Sequence, residues 1–136
     1  MSNRLLRNRQ YTLEIDPVTL WLKINIGSSG AVSSFSGKGV ASVTKESTAG
    51  QYTIKLEDGY MALLNVSAHL VKASIEPGKV QLLQAPATLN ADFVSSKGFK
   101  IQVVGPTSSS DTTSIAANPS SGTMIMVEIK VKRSQV

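Results

Sequence analysis

Val18-Thr-Leu-Trp-Leu-Lys-Ile-Asn-Ile26 decides how this chain folds, because every second residue is aliphatic. Val18, Leu20, Leu22, Ile24 and Ile26 fall on one side, and Thr19, Trp21, Lys23 and Asn25 on the other. Successive side chains of a strand point to opposite faces, so this period predicts a half-buried strand with its aliphatic row inward. The pattern returns in a strand expected over Thr123–Arg133. There Ile125, Val127, Ile129 and Val131 alternate with Met124, Met126, Glu128, Lys130 and Lys132.

Between these two strands the same reasoning supplies more. Val40–Lys45, the turn Ser47-Thr-Ala-Gly50 and Gln51–Glu57 read as a hairpin with Tyr52, Ile54 and Leu56 on one face. Tyr11–Asp16 alternates and stops at Pro17, while Asn65–Ala73, Lys79–Gln84 and Phe99–Val104 read as further strands. Gly27–Gly39 is expected to be a small-residue loop with Phe35 tucked inward, and Gly105–Gly122 a long surface loop. Asp58–Leu64 breaks the alternation and is expected to form a short turn or 3₁₀ segment that packs Tyr60 and Leu63. Pro77-Gly78 marks another turn. Roughly seven to nine strands without a three-turn helix or a repeat of fixed period imply an all-β fold: a single antiparallel β-sandwich, jelly-roll-like. Strand order is not encoded in the pattern.

At 136 residues the chain fits one domain, and 41% hydrophobic with 17% charged residues supports a core. Its 19 Ser, 10 Thr and 10 Gly suit many short strands and turns. The absence of cysteine excludes disulfides, thiolate nucleophiles and zinc–thiolate centres. No stretch approaches the ~18–20 apolar residues of a membrane-spanning helix, and no apolar segment follows the arginines of Met1–Gln10. A soluble protein made in the cytoplasm of the producing cell, with no membrane partner, is the expectation.

The positive charge sits at the ends. Arg4, Arg7 and Arg9 occupy residues 1–10 without an acid, and Lys130, Lys132 and Arg133 occupy residues 130–136 likewise. Residues 1–10 are therefore expected to form an extended basic arm, and residues 11–136 the sandwich domain. Such an arm can neutralise phosphates or lie on an acidic protein surface. No aromatic is interleaved with these charges to stack on bases, so nucleic acid is the weaker partner. Leu5 and Leu6 favour a protein surface with an apolar pocket.

Catalytic groups are scarce. His69, the single histidine, sits in strand-like Val66-Ser-Ala-His-Leu-Val71, and no Gly-x-Ser-x-Gly elbow accompanies it. An ordinary strand histidine accounts for it better than a catalytic base. Gly37-Lys38-Gly39 fails as a phosphate loop, because Val32 and Gly39 stand where a Gly and a Ser/Thr are needed. Glu57-Asp58 is an adjacent acid pair at a turn, and Glu14 and Asp16 would share a strand face; a polar surface accounts for both. The Asn65-Val66-Ser67 sequon has meaning only on a secretory route. No catalytic, cofactor or metal set emerges. Trp21 is more informative, since it lies opposite the aliphatic row and so either sits under a loop or anchors an interface. For Met124 and Met126, core packing is the preferred expectation.

Gly39-Val-Ala-Ser-Val43, Gly50-Gln-Tyr-Thr-Ile-Lys-Leu-Glu-Asp-Gly-Tyr60, Leu63-Leu64 and the closing Ser121-Gly122 with its strand resemble the capsid decoration, or cement, proteins of tailed bacteriophages. The match covers residues 39–64 and 121–133. The resemblance implies a small β-sandwich virion protein, commonly a homotrimer, that sits on the capsid exterior and clamps neighbouring capsomers. It implies the major capsid protein as partner, no cofactor and no enzymatic activity. The interface inferred alongside it comprises Arg4, Leu5, Leu6, Arg7, Arg9 and Trp21; the arm itself lies outside the matched blocks. A tail or fibre component that binds a host-surface glycan, through Trp21 and Tyr11, is the alternative.

Overall fold

The computed structural model describes residues 17–73, 78–106 and 114–133. They form strands β1 (Pro17–Ile26), β2 (Val32–Ser36), β3 (Val40–Lys45), β4 (Gln51–Leu56), β5 (Ala62–Val71), β6 (Lys79–Leu82), β7 (Gly98–Pro106), β8 (Ser114–Ala116) and β9 (Met124–Lys132). A single helix, α1 (Leu89–Ser96), follows a 3₁₀ turn at Pro86–Thr88 and precedes β7.

The strands make two antiparallel sheets packed face to face. The front sheet has the order β2-β1-β9-β5, and the back sheet the order β3-β4-β7-β6 with β8 beside β7. The chain changes sheet after β2, β4, β5 and β8. A strand from late in the chain therefore lies between two earlier ones in each sheet: β9 between β1 and β5, and β7 between β4 and β6. This is the antiparallel β-sandwich expected from the alternation.

The alternation also sets the core. Leu22, Ile24 and Ile26 of β1 and Ile125, Val127, Ile129 and Val131 of β9 are buried. They meet Tyr52, Ile54 and Leu56 of β4 and Phe99, Ile101 and Val103 of β7 from the opposite sheet. Each such side chain contributes about 1.5–3 kcal/mol by leaving water. At one end Tyr52 adds a polar tie: its hydroxyl donates to the Gly30 carbonyl at 2.6 Å, joining the back sheet to the turn after β1. Burial pushes this phenol up from 10.0 to about 12.

The β3–β4 turn is clamped by chain that follows β8. The Gly50 amide donates to Asn118 Oδ1 at 2.7 Å, and the Gly50 carbonyl accepts from the Val103 amide at 2.8 Å. Gln102, buried on the back sheet, is satisfied by donating from its Nε2 to the carbonyls of Ala49 and Val103. Gly50 has φ +69°, and a Cβ there would stand 2.2 Å from the Ala117 carbonyl oxygen.

Several local expectations need correcting. Val32–Ser36 is an edge strand paired with β1, and Phe35 is exposed at the rim instead of tucked inward. Only Val32 of this serine-rich edge strand is even half-buried, so it needs no apolar alternation. Asp58–Leu64 buries Tyr60 and Leu63 as expected, but as bends leading into β5 instead of a 3₁₀ turn. The Gly105–Gly122 stretch contributes β8, paired to the far end of β7. Helix α1 was not signalled by the sequence. It buries only Phe93, and Asn90 Oδ1 accepts from the Leu63 amide at 3.2 Å, so the helix closes the start of the β5 edge. Residues 1–16 and the expected turn at Pro77 lie outside the described residues.

Two outcomes follow for stability. Gly50→Ala adds left-handed strain of about 1–2 kcal/mol to a clash of about 1–3 kcal/mol, so urea unfolding should show a loss near 3 kcal/mol. Tyr52 holds its proton more tightly when folded, so its contribution is complete below pH 10. As pH rises from 10 towards 12 it falls by about 1.4 kcal/mol per unit. Comparing wild type with Tyr52→Phe by denaturation across that range isolates this slope, which the variant should lack.

Candidate functional site

The outer faces of the two sheets differ. The back sheet presents Thr44, Thr53, Lys55 and Lys100, a polar surface. The front sheet presents large apolar groups: Trp21 is 62% exposed, and Met126 and Val71 are also exposed. With its inner face filled by the core, β1 must turn Trp21 outward, and no described loop covers it. The structure thus decides between loop-covered core and open surface in favour of the surface. Met126 is exposed on the same face and Met124 half-buried, so the expected core packing of this pair is not what β9 does. The reason is geometric: Ile125 and Val127 already take the inward positions.

Register assembles the face in rows across the strands. Trp21 lies opposite Glu128, and Glu128 opposite Ser67. One row on, Ser36 of β2, Lys23 of β1, Met126 of β9 and His69 of β5 stand side by side. Glu128 is directly opposite the indole and Met126 diagonal to it, and with Lys23 two residues along β1 they line one depression beside it. Lys130 reaches Glu128 at 3.5 Å on the same strand.

Two depressions flank Trp21. On the β2 side an open groove of about 460 Å³ is lined by Thr19, Leu20, Trp21, Lys23, Ser36 and the Gly37-Lys38 turn. On the β5 side a dimple of about 90 Å³ is lined by Trp21, Lys23, Ser67, His69, Met126 and Glu128. Close backbone packing builds the larger one: a Cβ at Gly37 would come within 2.5 Å of the Trp21 carbonyl oxygen. The turn can therefore lie flat against β1 and set Lys38 beside the indole.

Ser67, His69 and Glu128 line one dimple, but among the described residues no hydrogen bond links His69 to either of the others. Nor is there, among the described residues, a group of three or more His, Asp or Glu placed to hold a metal ion. No described helix is long and apolar enough to cross a membrane.

Of the six residues expected at an interface, Trp21 is placed on an open face; Arg4, Leu5, Leu6, Arg7 and Arg9 lie outside the described residues. The sequence reading set Lys23 on the same strand face as Trp21 but missed Lys38 and Met126 as its neighbours. Their assembly depends on strand register and on the Gly37 contact, and neither has a local signature. No family model, curated protein or solved structure matches this chain.

An exposed side chain adds little to folding. Trp21→Ala should change stability by no more than about 1 kcal/mol in denaturant titration, with circular dichroism unchanged. A larger loss would mean that the indole is part of the core.

Proposed function

We propose that this protein is a structural component of a virion, binding the outside of a tailed-phage capsid and stabilising it by clamping neighbouring capsomers. The observation that carries the reading is Trp21: a large, exposed indole on an inner strand of the front sheet, flanked by grooves, on a body whose core is complete without it. Exposed tryptophans that become buried on association are among the commonest anchors of protein interfaces. The blocks that carry the resemblance to cement proteins support it too, since they fold as the β3–β4 hairpin, the entry to β5, and β9.

The mechanism is linkage. A molecule that binds only the assembled shell stabilises that shell by mass action. A homotrimer multiplies modest single contacts into firm attachment, and the basic segment at residues 1–10 adds reach across subunits. Arg4, Arg7 and Arg9 would fork onto carboxylates of the major capsid protein while Leu5 and Leu6 fill a groove.

Co-sedimentation with purified heads of the parent phage tests this. Wild type should pellet with heads and raise their melting temperature. Deletion of residues 1–10 should abolish pelleting while leaving the sandwich folded. Trp21→Ala should weaken it by about 30-fold, the 2 kcal/mol of an interface anchor. Failure of the wild-type protein to pellet with heads would overturn the reading, and normal decoration by both variants would remove the arm and Trp21 from the interface.

A further inference from the structure

The two depressions share Trp21 and Lys23 and so adjoin along the front sheet; taken together they make a trough whose chemistry is graded. At the β2 end Lys38 and Lys23 bring two positive charges, and no acid lines that groove. In the middle lie Trp21 and Met126, with Leu20 and Leu22 beneath. At the β5 end Glu128 is met by Lys130, and Ser67 and His69 close the trough. With Glu128 met by Lys130, the lining's uncompensated charge is positive, from Lys38 in the β2-side groove and Lys23 beside the indole.

We infer that this trough takes a short extended segment of a partner protein, with a carboxylate set on Lys23 and Lys38 and a bulky apolar side chain laid on Trp21 and Met126. The inference deepens the docking reading above and rests on it for the choice of a protein partner. Three observations favour a polypeptide. The floor is aliphatic and aromatic, which suits apolar side chains. A sugar would want amides or carboxylates free to fork onto neighbouring hydroxyls, but no amide side chain lines either depression and the one carboxylate, Glu128, is already met by Lys130. The trough crosses β2, β1, β9 and β5, three strand spacings or roughly 14 Å. That length accommodates about four extended residues. Charge complementarity at one end would fix which way the segment runs.

Trp21 is the single tryptophan of the chain, so its emission, excited at wavelengths the three tyrosines do not absorb, reports on this site alone. The full-length protein would be titrated with an array of capped hexapeptides, each pairing one or two Asp/Glu with one bulky apolar residue at every spacing. The same peptides with Lys for acid, a heparin-derived oligosaccharide and an oligothymidylate serve as the other arms. The expected result is saturable change in Trp21 emission with a subset of acidic peptides, weakening with salt. Lys23→Glu combined with Lys38→Glu should cost at least ten-fold in affinity, and Lys23→Gln alone a smaller factor. Both lysines are exposed, so the variants should fold, with circular dichroism as the check.

Equal binding of Lys-substituted peptides, tighter binding of the oligosaccharide or oligonucleotide, or no response to any acidic peptide would each overturn the inference. Head co-sedimentation separates the two levels. Heads bound without peptide binding would leave the capsid reading standing and remove the trough's role, and peptide binding without heads would do the reverse.

Discussion

Interleaving of two aliphatic rows between the sheets governs the rest of this molecule. Ile24, Ile125 and Ile129 from the front sheet and Ile54, Ile101 and Tyr52 from the back are almost wholly removed from water. Because side chains alternate along a strand, filling that layer fixes what every intervening residue must do. A one-residue slip of β1 would drive Trp21 and Lys23 into the interior and expel Leu22 and Ile24. The front face thus takes its character from the inside: Trp21 is outward because its neighbours cannot be.

The polar ties are placed where the aliphatic layer ends. Tyr52 reaches the Gly30 carbonyl at one end, and Gly50, Asn118 and Gln102 close the β3–β4 turn with hydrogen bonds that leave no described buried side-chain polar atom without a partner. An unmet buried donor costs more than a satisfied one contributes, so these contacts fix the geometry of the ends as much as they hold them together. Gly37 plays a related part on the front sheet, where its lack of a side chain lets the turn touch β1 and shapes the groove.

What could be read from the sequence follows from which signals are local. β1, β4 and β9 were legible because a two-residue period over six or more positions fits little besides a strand with one face buried, whereas β3, with Val40 and Val43 three apart across a bulge, was legible only from its place before the Ser47–Gly50 turn. β2 was not, since Val-Ser-Ser-Phe-Ser at a sheet edge carries no such period. Helix α1 was equally silent: with only Phe93 buried it lacks an amphipathic stripe. For the candidate site, Trp21 could be singled out but not its exposure, because alternation tells which side a residue faces and not what lies over it. Lys38 drew notice only within Gly37-Lys38-Gly39, as a failed phosphate loop. Its place beside Trp21 depends on a contact between strands that sequence spacing does not contain.

β9 pairs with β1 along one side and β5 along the other, so the middle of the front sheet is supplied by residues 124–132. During translation, more than a hundred residues must leave the ribosome before that slot can be filled. Until then β1 and β5 each display an unzipped border and a bare aliphatic flank, the state in which nascent β proteins most need a chaperone's shelter. The order of synthesis therefore makes closure of the front sheet a late event, and the complete Trp21 surface appears no earlier.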